Sequence, residues 1–191
     1  MTESALPQSM RYAVDARGSR LTIHAYASGL LSVVGHDPVI AVRDFSGDVR
    51  FAPEHPEAAG LTLTMVTASM AVQNDVSDKD RREMERVMKE EVLETTTYPE
   101  IGFEATSARV DAVNEARYRV EVDGVMSLHG ATRKQRVSAQ LFLMGDTLRA
   151  QGELSLRQTD FGITLVSVAG GTLKIKDELK CTFDLLARKA T

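Results

Sequence analysis

The side chains able to do acid–base or metal chemistry are few and scattered. Four histidines, His24, His36, His55 and His129, form no H-x-H or H-E-x-x-H spacing, so no zinc-type ligand set is written into the chain. His24 and His129 fall on the polar parity of strand-like segments. His36 precedes Asp37 in a Gly-His-Asp-Pro turn, where an imidazole either fixes the turn by hydrogen bonding or stands at a pocket mouth. Cys181 is the single cysteine, which excludes an internal disulfide. It alternates with Leu179 and Phe183, and a thiol on such a face reads as core rather than nucleophile. Thr132-Arg-Lys-Gln-Arg136 is the one basic cluster. Charge runs usually face water; the sharper reading is a counter-charge for a phosphate or other polar head. Arg157 and Asp160 read as a turn or an ion pair. There is no G-x-S-x-G, P-loop or G-x-G-x-x-G. The residues thus predict no catalytic set, no metal and no cofactor.

The elements that position these groups are nearly all strands. The exception is a helix within Asp75–Glu94, started by Ser77-Asp-Lys-Asp80, where the Ser77 hydroxyl can accept from a free first-turn N–H. Met84, Val87 and Met88 follow at helical spacing, giving a narrow apolar stripe among charges. Glu85→Lys89 and Asp78→Arg82 pairs support it, and it must end before Pro99, whose ring disfavours helical geometry at Tyr98.

Before the helix, Tyr12–Val14, Leu21–Ala27, Val39–Phe51 and Leu61–Met65 read as strands, the last slipping in pattern near Val66 as a bulge or bend does. Gly29–Pro38 is a mostly apolar connection that tucks into something. After the helix, strands from Ile101, Tyr118, Val137, Leu148 and Leu173 arrive at hairpin spacing, which requires antiparallel pairing. About eight long, one-faced antiparallel strands predict a mainly β fold: an antiparallel barrel with one helix packed against it. Closure removes the exposed edges such strands would otherwise present. Residues 1–11 read as a loose tail and 12–191 as a single domain.

A net charge of −4 gives no support for nucleic acid or an anionic membrane as a partner. No apolar run approaches the ~20 residues of a membrane span, and Met1–Pro7 lacks the basic-then-apolar pattern of a signal peptide. A soluble cytoplasmic protein is the expectation.

The inward faces pose the question of a cavity. Gly47, Gly124 and Gly152 interrupt apolar rows, there is no Trp, and aromatics are few for strands of this length. A small barrel can fill itself or hold one ligand, and these features favour a ligand. The candidate lining is Ile23, then Phe45, Val49 and Phe51, then Leu63 and Met65 before the helix. Met84 and Met88 come from the helix itself. Phe103, Val122, Met126, Leu141, Leu154 and Phe161 come from the strands after it. The methionines among them would make an adaptable wall.

Four segments resemble a known family. Gly124-Val-Met-Ser-Leu-His-Gly130-Ala-Thr-Arg133 is similar to the G-x-L-x-[IL]-x-G-x-[TS]-[RK] signature of the YceI-like family. Tyr98-Pro-Glu-Ile-Gly-Phe103 resembles its y-P-x-I-x-F exit from a helix, and Arg157-Gln-Thr-Asp-Phe-Gly-Ile163 its R-x-D-F-G-I stretch. Val34-Gly-His36-Asp37 and Phe45-Ser-Gly47 sit where the family places a His and an F-x-G. The resemblance implies an extended lipocalin-like antiparallel barrel whose interior holds a polyisoprenoid, isoprenoid quinone, fatty acid or other long apolar ligand. In that setting His36 and Arg133 become candidates for a polar head group. Two other readings stand beside this carrier. One is an enzyme on an apolar substrate, with His36, Asp37 and Arg133 converging at the barrel mouth. The other is a homodimeric interaction protein that pairs exposed strand faces.

Overall fold

Two-residue hydropathy alternation becomes strand almost everywhere it occurs. The computed structural model describes residues 10–28, 37–168 and 173–190. In chain order the strands are β1 (Met10–Val14), β2 (Arg20–His24), β3 (Ala27–Ser28), β4 (Val39–Val42), β5 (Phe45–Phe51), β6 (Gly60–Val66) and β7 (Met70–Val72). Helix α1 (Asp78–Val87) follows, and then β8 (Glu100–Asn114), β9 (Arg117–Leu128), β10 (Ala131–Met144) and β11 (Thr147–Arg157). The chain ends with β12 (Ser167–Val168), β13 (Leu173–Ile175) and β14 (Glu178–Lys189).

Eight of these strands close a ring, β1-β5-β6-β8-β9-β10-β11-β14, and β14 returns to β1 through Tyr12↔Lys189, Ala13↔Arg188 and Val14↔Ala187. Every pairing in it is antiparallel. The expected mainly β, eight-strand antiparallel barrel with one α-helix is what the chain forms. A small three-stranded sheet, β12-β13-β3, was not anticipated.

Three walls of the barrel are bent, each built from two consecutive strands. A 3-10 turn at Ala16–Gly18 divides β1 from β2, and the Asp15 carboxylate fixes it by accepting from the N–H groups of Arg17 and Gly18. Arg43 and Asp44 separate β4 from β5, so Val39–Phe51 is not one strand. Thr67–Ser69 separates β6 from β7, which is the physical form of the pattern slip at Val66. Long β14 serves both halves, pairing β1 at Ala187–Lys189 and β2 at Lys180–Asp184. Strand β1 also takes in Met10 and Arg11, which the composition had placed in the tail.

Among the described residues the upper half-strands run β14-β2-β4-β7 and stop there, leaving β7 with an open edge beside the helix. Side chains of α1 satisfy it. Val72 N–H donates to Glu85 Oε1 at 3.0 Å, and Arg81 donates to the Val72 and Asn74 carbonyls at 2.6 and 2.9 Å. The helix is capped as its sequence predicts, with Ser77 Oγ accepting from Asp80 N–H at 3.1 Å. On its exposed face the ion pairing centres on Arg86, which reaches Glu83, Glu90 and Glu91. No residue of α1 proper is fully buried. The following π-helical turn, Met88–Val92, widens the coil and carries the packing: Met88 and Leu93 are both buried. Glu94, at φ +45°, ends it before Pro99.

Removing either arm of the edge contact leaves a backbone group of Val72 without its partner. Arg81→Ala and Glu85→Ala are each expected to cost about 1–2 kcal/mol in chemical denaturation. Hydrogen exchange should locate the loss at residues 70–84 and spare the packed turn at 88–93; uniform loosening of the whole barrel would contradict this account.

The candidate ligand cavity

Because β-strands place every second side chain on one face, the parity of each wall decides what the lumen meets. Tyr118, Val120, Val122, Gly124, Met126 and Leu128 share the inner face of β9, and a register shift at Ala105/Ser107 keeps Ala108 and Val110 of β8 inside beyond the bulge. The cavity, partly open to solvent, measures about 830 Å³, within the ~300–1,000 Å³ usual for small-molecule sites. Its wall is overwhelmingly aliphatic. The charged groups on its lining are Asp75, Asp80 and Glu83, from α1 and the residues before it, Lys174 of β13, and Arg50 of β5 next to Phe51.

Of the lining expected from the sequence, Ile23, Val49, Phe51, Leu63, Met65, Met84, Met88, Phe103, Val122, Met126, Leu141 and Leu154 all face this cavity. Phe45 and Phe161 do not, although both are buried. Phe45 opens β5 beside the Arg43–Asp44 break, opposite Met65, and is sealed into the wall there. Phe161 ends a 3-10 turn, Gln158–Phe161, that lies over β10 and β11 and borders a separate small cleft. Parity alone gave no warning of either, because each sits where a strand is interrupted. Sequence reasoning also passed over Leu21, Ile40, Leu61, Met70 and Leu93, whose parity or helical spacing could have found them.

Of the proposed polar mouth, the described residues Asp37 and Arg133 engage separate partners. His36 lies outside the described residues. Arg133 lines the small cleft, with Gln135, Arg157 and Asp160, and donates to the Thr132 carbonyl at 2.9 Å. Asp37 serves the backbone instead: its carboxylate accepts from Ala27 N–H at 2.7 Å, and Asn74 ties its carbonyl to Val39 N–H. Arg157 and Asp177 form an ion pair at 2.9 Å that also takes the Thr159 N–H and hydroxyl, so Arg157 braces a turn. His129, expected on a polar face, is instead largely buried in the β9–β10 turn at φ +50°. Its ring stacks on Tyr98 with centroids 4.4 Å apart, and its Nε2 lies 3.7 Å from Glu94. That contact joins the end of the helical segment to the barrel wall. Among the described residues no three His, Cys, Asp or Glu side chains converge as a metal site. Cys181 faces the lumen, and burial pushes its thiol up to about 11, so it is neutral at ordinary pH.

A sequence model of the YceI-like domain matches residues 12–187. The chain belongs to the YceI-like family. Its relatives include the protein YceI of Shigella flexneri, 26% identical over 161 residues that cover 80% of this chain and 75% of that one. A UPF0312 protein of Pseudomonas syringae pv. tomato is 25% identical over 185 residues, covering 93% of this chain and 87% of the relative. Among solved structures, BcnA of Burkholderia cenocepacia superposes with a TM-score of 0.68 at 20% identity, covering 93% of this chain and 99% of that one. A polyisoprenoid-binding domain from Saccharophagus degradans does so with a TM-score of 0.68 at 17% identity, covering 95% and 99%. These likenesses establish the shared barrel.

Two glycines of this YceI-like barrel explain how its bore stays open. A Cβ at Gly124 would stand 2.4 Å from Phe103 Cζ and 2.6 Å from the Glu104 carbonyl. One at Gly152 would stand 2.5 Å from Phe183 Cζ and 2.4 Å from the Ser138 carbonyl. Each missing side chain thus makes room for a neighbouring phenyl ring to lie against the wall instead of projecting into the lumen. Glycines on apolar faces in mid-strand mark either room for sharp coiling or an unfilled interior. The space beside each is filled, and the bore beyond it is what remains open.

Gly124→Ala and Gly152→Ala are each expected to destabilise by about 1–3 kcal/mol and to lower the amount of apolar ligand the barrel takes up. Phe103→Leu should recover only part of the Gly124→Ala loss, since the Glu104 carbonyl still crowds the site. Denaturation midpoints with a double-mutant cycle check both statements.

Proposed function

We propose that this protein is a non-catalytic carrier that holds one long, apolar small molecule of the polyisoprenoid, isoprenoid-quinone or fatty-acid type inside its barrel. The observation that carries the reading is the lumen itself: about 830 Å³ with an almost wholly aliphatic wall. A lumen of this size and polarity favours an apolar occupant over water. Water finds few partners on an aliphatic wall, whereas each methylene buried there gains about 0.8 kcal/mol. A 40-carbon chain would gross about 30 kcal/mol, and the ordering of a flexible chain offsets much of it. A polyisoprenoid-binding domain from Saccharophagus degradans has the same barrel and supports the same ligand class. The groups that the enzymatic alternative needs are not convergent: Asp37 and Arg133 have separate partners on separate walls. Among the described residues no helix is long and apolar enough to cross a membrane.

Mass spectrometry of an organic extract of the purified protein is expected to show a long-chain apolar compound in near-stoichiometric amount. A clean extract, together with no thermal shift on adding polyprenols, quinones or fatty acids, would end the carrier reading.

Cys181 offers a second, independent readout. Its thiol titrates near 11 in the folded chain against an ordinary value of 9.0, so alkylation should stay slow through pH 9 and accelerate only towards 11. Between those values the unfolded chain binds fewer protons than the folded one, so this residue makes the fold less stable as pH rises from about 9 to about 11. An apolar maleimide should react more slowly after polyprenol loading, because the thiol shares the lumen with the ligand.

A further inference from the structure

The end of the lumen opposite the helix is closed by aromatic side chains. Phe51, from the last position of β5, meets Tyr118, from the start of β9, with ring centroids 5.1 Å apart and planes at 73°. Strands β6 and β8 separate β5 from β9 around the ring, so this contact crosses the interior instead of running along one wall. Tyr12 and Leu148, each 1% exposed, join them in a core cluster, with Val120, Leu141 and Ala187, separate from the one beneath the helix. Tyr118 is fixed from behind, its hydroxyl donating to the Glu115 carbonyl at 3.0 Å in the β8–β9 turn. The cavity reaches this cluster and ends there: Phe51 and Leu148 line it, while Tyr12 and Tyr118 belong to the cluster but not to the lining.

A tube sealed at one end measures whatever enters at the other. We infer that the floor built by Phe51 and Tyr118, backed by Tyr12 and Leu148, sets the length of apolar chain the barrel accepts. The inference rests on the carrier reading and adds a specificity-determining element to it. Below the limit, each added unit exchanges water for aliphatic wall and strengthens binding. Above it, further units stay at the mouth in water and add nothing. Affinity should therefore climb with chain length and then level off at a break-point fixed by the floor. The edge-to-face ring pair suits this role, since two mutually supporting rings hold a fixed position where a single flexible side chain would yield.

The test uses the full chain and a graded series of linear polyprenols, with affinities read by competition in native mass spectrometry. Phe51→Ala lowers the floor. Ala150→Phe raises it from β11, because Ala150 both lines the cavity and packs against the same cluster. The wild type is expected to gain several-fold in affinity per added unit up to its break-point. Phe51→Ala should move that point to chains longer by about one five-carbon unit, the bulk of one lost ring, and Ala150→Phe should move it about as far the other way. If Phe51→Ala fails to fold, Ala150→Phe still decides, since it adds volume to open space. A break-point common to every folded variant overturns the floor and leaves the carrier reading standing. No saturable binding at any length overturns both.

Discussion

Everything in this structure depends on closing a backbone hydrogen-bond ring around an interior that side chains do not fill. In most small domains a packed core holds the walls together, and the ladders follow. Here the middle of the molecule contributes little packing, so the ladder has to be complete. The ring achieves this between β1 and β14 at one end, where Tyr12, Phe51, Tyr118 and Leu148 also supply a true core. At the other end β7 meets no further strand among the described residues. An open edge there would leave Val72 unsatisfied. Arg81 and Glu85 prevent that by acting as a surrogate strand: one donates to Val72 and the other accepts from it.

The two ends of the helical segment are consequently held in different ways. Its C-terminal part is fixed by burial, through Met88 and Leu93, and by the stack of His129 on Tyr98. Its N-terminal part has no fully buried residue and rests on polar contacts. Local opening starts where few apolar contacts and exposed hydrogen bonds coincide, which makes Ser77–Met84 the weakly held part of the segment and the π-helical turn the firmly held part. The acidic lining groups Asp75, Asp80 and Glu83 lie on or beside the weakly held part.

The fold was legible in the sequence because two-residue alternation survives in long strands, and β9 and β11 carry it with hardly a break. The helix was legible through its cap. Legibility failed where a strand is interrupted. Parity assigns Phe45 and Phe161 to the lumen, yet the break at Arg43–Asp44 and the turn at Gln158–Phe161 remove both from it. Spacing along a strand cannot report a turn that lets one residue change neighbours. The separate partners of Asp37 and Arg133 were hidden for a related reason. Asp37 and Arg133 carry the right chemistry, but their partners are backbone groups of Ala27 and Thr132, which no count of side-chain types reveals. His129 shows the converse, a polar residue on polar parity that a left-handed turn folds inward against Tyr98.

Strong directional chemistry is kept to the outside of the barrel. Arg149 grips Asp184 at 2.6 and 2.7 Å and holds its carboxyl below the usual carboxylate range, while Arg136 and Lys180 pair with Asp123 and Glu153 across neighbouring strands. Inside, Gln158 is buried but spends its amide on the Lys176 carbonyl. An interior of this kind constrains the parity and summed volume of its residues far more than their identity, since one aliphatic side chain replaces another at small cost when volume is kept. Barrels with a TM-score of 0.68 to this one at 17–20% identity are what that freedom produces. The positions with least freedom are then those where shape is absolute: the glycines beside Phe103 and Phe183 that keep the bore open, and the rings that close it.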